Sequence, residues 1–188
     1  MTILLSIDGG NRADNDRKCA VSEYHAGMLV ELHELNINQA RKAIRNGLTC
    51  DAVAVERGGY LKANIPPRVI ADLCWNTAAL AFTLAAGAPV REYTVNDGTA
   101  EDWIGGVKKH ALHCGIWAAL SPAERKVFPA DTAEWIKEAV KRAAGRPGAR
   151  PWEHPAFNSL CSAGVGLFDL GRITKGAALN VPRLRRVK

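Results

Sequence analysis

The stretch Thr2-Ile-Leu-Leu-Ser-Ile-Asp8-Gly-Gly10 is a short apolar run that ends in an acid and two glycines. A buried central strand that meets a loop at its carboxyl end has this composition. The pattern returns at Asp51-Ala-Val-Ala-Val-Glu56, where the acid is followed by Gly58 and Gly59. Between the two runs lie the β-rich segments Cys19–His25 and Met28–Leu35, joined around Ala26-Gly27 and predicted to form a hairpin.

The flanking segments complete the pattern. Asn38–Arg45 reads as a short helix that Gly47 stops. Pro66 and Pro67 open a long helix to Ala86, closed by Gly87 and Pro89 and apolar almost all round. Such a helix is expected to be buried on several sides, within the domain or against a partner. Val90–Val95 is a strand. Helices follow over 107–120, over 121–128 behind a capping box of Ser121, Pro122 and Glu124, over 132–144 and over 156–170. Three strands in an antiparallel meander, with two more added through helical crossovers, make an α/β mixed sheet of five strands flanked by helices. With 188 residues the chain is most simply one domain.

No stretch reaches the roughly 18 apolar residues that a membrane span needs. The apolar start lacks the basic leader and cleavage site of a signal peptide, so an intracellular, cytoplasmic protein is expected. Five cysteines stand far apart with no CxxC pair, which argues for reduced thiols rather than a disulfide framework or zinc site. The net charge of +6 is matched by six basic residues from Arg172 onward (Arg172, Lys175, Arg183, Arg185, Arg186, Lys188), with no acid among them. An uncompensated basic tail suits a polyphosphate partner, and a solubilising end is its bland alternative.

Asp8 and Glu56 end their strands at equivalent places. In a parallel pair both would project at one sheet edge, where open α/β sheets place their sites. Carboxylates there suit a hard cation such as Mg²⁺, and two such ions about 4 Å apart serve phosphodiester hydrolysis. Loop capping, or pairing with Arg12 and Arg57, is the alternative for the same acids.

Four segments occur in one order: Leu5-Ser-Ile-Asp8-Gly-Gly, Ala52-Val-Ala-Val-Glu56, Trp103-Ile-Gly-Gly-Val107-Lys-Lys-His110 and Gly164-Val-Gly-Leu-Phe168-Asp-Leu-Gly-Arg172. Together they resemble the RuvC-type Holliday junction resolvases, especially forms from phages and prophages, over about Thr2 to Arg172. The resemblance implies a ribonuclease H-like domain over 1–175, followed by a basic tail over 176–188. It also implies a Mg²⁺-dependent endonuclease, with Mn²⁺ as second candidate ion, acting as a homodimer on four-way DNA junctions. Asp8 and Glu56 would be metal ligands. Arg57, Tyr60 and Lys62 would probe the junction centre, where stacking of Tyr60 on an unpaired base contributes roughly 1–3 kcal/mol. Lys108, Lys109, Arg183, Arg185 and Arg186 would contact the DNA backbone. The helix over 67–86 is similar to the family's dimer helix.

The chain departs from the family at its last helix. Alignment on Gly164–Phe168 puts Cys161 where the family has an Asp, and Asn158 where it has an earlier Asp or His. A register slip of one would put Ser162 there instead. Asn158 and Cys161 are accordingly the expected remaining site residues, with Glu153 and His154 in the preceding loop as substitutes. Asp169, two turns on, should face elsewhere. The alternative function is a branched-DNA-binding protein that does not cleave. Asp8-Gly-Gly-Asn also resembles the phosphate loop of the sugar-kinase and actin ATPases, which need a second such domain that this chain lacks the length to hold.

Overall fold

Ile3–Asp8 forms strand β1, whose side chains alternate between two covered faces: Leu4 and Ser6 point one way, Leu5 and Ile7 the other, and all four are buried. The computed structural model describes residues 2–8, 18–57, 67–94, 109–143 and 154–173. Antiparallel to β1 runs β2 (Cys19–His25), and antiparallel to that β3 (Met28–Leu35). Ala26 and Gly27 turn the hairpin with φ of 49° and 82°, the left-handed pair that a tight two-residue turn requires. Glu23 stands opposite Glu31 while Tyr24 stands opposite Leu29, so Val30 is an extra residue, a β-bulge. The bulge turns Leu29 back onto the face of Tyr24, where both are buried.

Helix α1 (Ile37–Arg45) begins earlier than the sequence suggests, because Asn36 and Gln39 cap each other's backbone N–H at 2.9 Å. Strand β4 (Ala52–Arg57) then pairs in parallel with β1. Helix α2 (Pro67–Ala85) carries the chain to β5 (Val90–Thr94), parallel to β4. The sheet order is β3-β2-β1-β4-β5, the ribonuclease H-like arrangement expected from the sequence. Four further helices follow among the described residues: α3 (Lys109–Ala119), α4 (Pro122–Arg125), α5 (Thr132–Ala143) and α6 (Ala156–Asp169). The expected helix to Phe128 stops at Arg125, since Pro129 disfavours helical backbone at the residue before it.

Two cores result. Leu5, Ile7, Val21, Val53 and Val55 pack under Leu80 and Leu84 of α2. Leu4, Tyr24, Leu29 and Ala54 pack on the other face against Ile116, Leu120, Leu160 and Leu167. The burial expected for α2 is only partial among the described residues: Leu80, Ala81, Leu84 and Ala85 are covered, whereas Trp75 is 76% and Phe82 63% exposed. Of the described cysteines Cys19 is buried and Cys50, Cys74 and Cys161 are half-buried, all as thiols rather than disulfides. Among the described residues no helix is long and apolar enough to cross a membrane. Tyr60, Lys62, Lys108, Glu153, Arg183, Arg185 and Arg186 lie outside the described residues, as do the side chains of Arg57 and Lys109.

Candidate active site at the carboxyl edge of the sheet

Asp8 and Glu56 reach the same edge by register. The β1–β4 ladder pairs Leu4 with Ala52 and runs to Ile7 with Val55, so Asp8 and Glu56 are the next residues on each strand. Neighbouring strands lie about 4.8 Å apart, and partners in a parallel pair point to the same face. Leu4 and Ala54, on the same alternation as Asp8 and Glu56, pack on the α6 side. Both acids therefore project over that side, and Glu56, near the strand end, also borders a groove along α2. Burial, and then the negative charge of Asp8 nearby, push the thiol of Cys19 up to about 11.

Helix α6 runs antiparallel to β1, and hydroxyls seat it. Ser6 donates to the carbonyl of Ser162 at 2.8 Å, and Tyr24 donates to that of Ala163 at 2.7 Å. The hydroxyls of Ser22 and Ser162 meet at 2.5 Å. Buried polar groups must be paired, and these serines pair one another. Gly166 permits the approach: a Cβ there would stand 2.3 Å from the Tyr24 ring and 2.7 Å from the Ser6 hydroxyl. Toward the other end of α6, Asp169 accepts hydrogen bonds from Arg91 (2.7 Å) and Tyr93 (2.5 Å) of β5, and Tyr93 is the register partner of Glu56 on β4. Beyond it Arg172 donates to the carbonyl of Gly27 at the hairpin tip. The first turn of α6 thus points toward Asp8 and Glu56.

In overall fold the chain is similar to RuvC from Thermus thermophilus. RuvC in complex with a Holliday junction substrate aligns with a TM-score of 0.43 at 13% identity, covering 93% of this chain and 99% of that one. A second Thermus thermophilus RuvC structure gives 0.37 at 15% identity with the same coverage. No protein-family model matches the sequence, and no curated protein matches it.

The structure separates the three residues of α6 that alignment could not. Ser162 is fully buried against Ser6 and Ser22. Asn158 precedes it by four residues, on the same side and about 6 Å nearer the edge, a step matching that from Ser6 to Asp8. Cys161 turns instead toward α3, its Sγ 3.5 Å from Nε2 of His113. His113 is itself buried between Phe157 and Trp135, with ring centroids at 4.6 and 5.5 Å. His154 does not fold back to the acids. Its ring stacks on Trp135 at 4.7 Å and its Nδ1 accepts from the N–H of Ala156, which leaves the proton on Nε2. That nitrogen lies 3.3 Å from the Asp131 carboxylate, at an angle too bent for a hydrogen bond.

Arg172 does not belong with the free basic tail. Its guanidinium grips the fully buried carboxylate of Glu124 at 2.5 and 2.8 Å and also reaches the carbonyl of Ala119. Burial alone would raise the Glu124 pKa, but Arg172 and the N–H groups of Leu29 and Ser121 hold it down at about 2. The capping box Ser121–Glu124 was legible in the sequence; that its acid also anchors a distant arginine was not.

Two strand-end carboxylates with an amide alongside fit one hard, hydrated divalent cation. A second ion would lack a charged ligand from the first two turns of α6, which read Ala156-Phe-Asn-Ser-Leu-Cys-Ser162.

Proposed function

We propose that the chain is a metal-dependent endonuclease that resolves four-way DNA junctions. The observation that carries this reading is the register that sets Asp8 and Glu56 side by side on the face toward which α6 directs its first turn. Asp8 and Glu56 would hold Mg²⁺ or Mn²⁺, with the amide oxygen of Asn158 as a neutral third donor. Such an ion, when bound, supplies an activated water and neutralises charge on the phosphate. Cys161 takes a supporting place beside the site, tied to His113. Arg57, Tyr60, Lys62, Lys108 and Lys109 would line the DNA path on this edge, and Arg183, Arg185 and Arg186 in the tail over 176–188 would add phosphate contacts to a nuclease domain over 1–175. The exposed Trp75 and Phe82 on α2 support a homodimer, whose two-fold symmetry suits a four-way junction.

A second reading, a junction-binding protein that does not cleave, is favoured by the absence of an acid from the first two turns of α6. A synthetic four-way junction separates the two. The nuclease should cut it slowly in Mg²⁺ and faster in Mn²⁺, which accepts softer ligands. Asp8→Asn and Glu56→Gln should abolish cutting and leave binding intact. Tight, junction-selective binding without cleavage in either ion would establish the binder, and equal affinity for junction and duplex would overturn both.

A further inference from the structure

A second cluster of ligating side chains lies on the hairpin, away from the carboxyl edge. Glu23 on β2 stands directly opposite Glu31 on β3, with His33 two residues along from Glu31 on the same face. Like charges directly opposed across an antiparallel pair destabilise it, so this pairing needs an explanation. Nε2 of His33 is 3.0 Å from one oxygen of Glu23, and Nδ1 of His33 is 3.8 Å from Glu31. One donor atom from each of Glu23, Glu31 and His33 lies within 4.8 Å of the other two. His25 holds the remaining oxygen of Glu23 at 2.5 Å, as a partner that orients a metal-bound carboxylate would.

We infer that Glu23, Glu31 and His33 form a binding site for a divalent first-row transition ion of the zinc class. Zinc binds carboxylate oxygen and imidazole nitrogen at about 2.1 Å, which sets tetrahedral donors about 3.4 Å apart. Closing to that spacing needs rotation of Glu31, whose side chain is 64% exposed and free to move, while Glu23 and His33 are largely buried and already placed. Two carboxylates and one imidazole leave a fourth position for water. The imidazole selects a transition ion over Mg²⁺. The cation would cancel the opposed charges of Glu23 and Glu31 and clamp the edge strand β3 to β2, beside the bulge at Val30.

This site is independent of the proposed nuclease centre. Glu23 pairs with Leu5, three residues from Asp8 and so roughly 10 Å along the strand, and it lies on the opposite face of the sheet. The test therefore uses the full chain with Asp8→Asn and Glu56→Gln, which removes the other carboxylates. Titration with Co²⁺ should load one equivalent and give visible d–d absorption, and Zn²⁺ should displace it. Adding Glu31→Gln, a substitution too exposed to unfold the chain, should weaken Co²⁺ binding at least tenfold and cancel the rise in Tm that Zn²⁺ gives the parent. His33→Ala should abolish the absorption. No Co²⁺ uptake by the parent, or uptake unchanged by Glu31→Gln, would overturn the inference.

Discussion

An amide, a thiol and a hydroxyl stand on α6 where the proposed nuclease would take an acid, and their surroundings rank them. Asn158→Asp would set a carboxylate level with Asp8, in the first turn of a helix, where the dipole also favours negative charge. Mg²⁺-dependent cleavage of a four-way junction should rise at least tenfold in that variant. Cys161→Asp should rescue less, because its carboxylate would meet His113 rather than the metal. Ser162→Asp should give no rescue and a lower Tm, since it buries a charge among serines. A greater gain from Cys161→Asp than from Asn158→Asp would show that the thiol's contact with His113 yields to the metal. The sequence alignment put Cys161 at the acid's place, with Ser162 as the slip of one and Asn158 earlier; a one-residue shift turns a helical side chain by about 100°, and nothing in the alignment sees the serines of β1 and β2. Gly166 belongs to the same contact. Gly166→Ala would push a methyl into the Tyr24 ring and should cost about 1–3 kcal/mol, read as a Tm lower by several degrees.

At the scale of elements, α2 is a helix whose outer stripe carries large apolar side chains left exposed among the described residues. Trp75 and Phe82 are seven residues apart, two turns along one side, and both stand in solvent. Trp75→Glu with Phe82→Glu should convert a dimer to a monomer in light scattering and leave the thermal stability of the monomer nearly unchanged. A wild-type chain that is already monomeric at tens of micromolar would remove the dimer from the proposal. Most element boundaries were legible to within two residues, because glycines, prolines and capping residues mark them chemically. The Ala26-Gly27 turn and the β4 acid are examples. The bulge at Val30 was not legible: Leu29, Leu32 and Leu35 look like a continuous apolar series, and only pairing with β2 shows that one residue is left over. That slip also sets Glu31 opposite Glu23, so the candidate transition-metal site was hidden with it.

For the molecule as a whole, two short apolar runs ending in acids were enough to expect a parallel pair inside a mixed sheet, and the strand order agrees. Contacts between distant segments were beyond such reading. The charge count assigned Arg172 to a free tail, whereas its partner Glu124 lies 48 residues earlier. The proposed DNA contacts of the tail rest on the arginines beyond it. Charge reversal at Arg183, Arg185 and Arg186 should weaken binding to all DNAs and flatten its dependence on salt, because phosphate contacts act through counterion release. Tyr60→Ala should instead reduce the preference for junction over duplex. Identical behaviour of the two variants in salt-series binding would refute that division of roles.

The grip of Arg172 on Glu124 also says where the chain can be cut. Among the described residues, the side-chain hydrogen bonds from the end of α6 to the hairpin tip and to Glu124 of α4 all come from this one guanidinium. A truncation after Lys175 keeps it and should melt at the temperature of the full chain. Four residues fewer, ending at Gly171, strand a buried carboxylate without its counter-charge, a defect worth about 3–5 kcal/mol, and also remove the buried side chain of Ile173 from the core. The shorter fragment should resist protease far less at neutral pH. The longer one should show the acid sensitivity of an intact bridge: a carboxylate held at about 2 stabilises the fold above its ordinary pKa of 4.5, and that stability drains away as the pH falls from there toward 2. The salt bridge of Arg172 and the burial of Ile173 thus carry the fold past the last turn of α6.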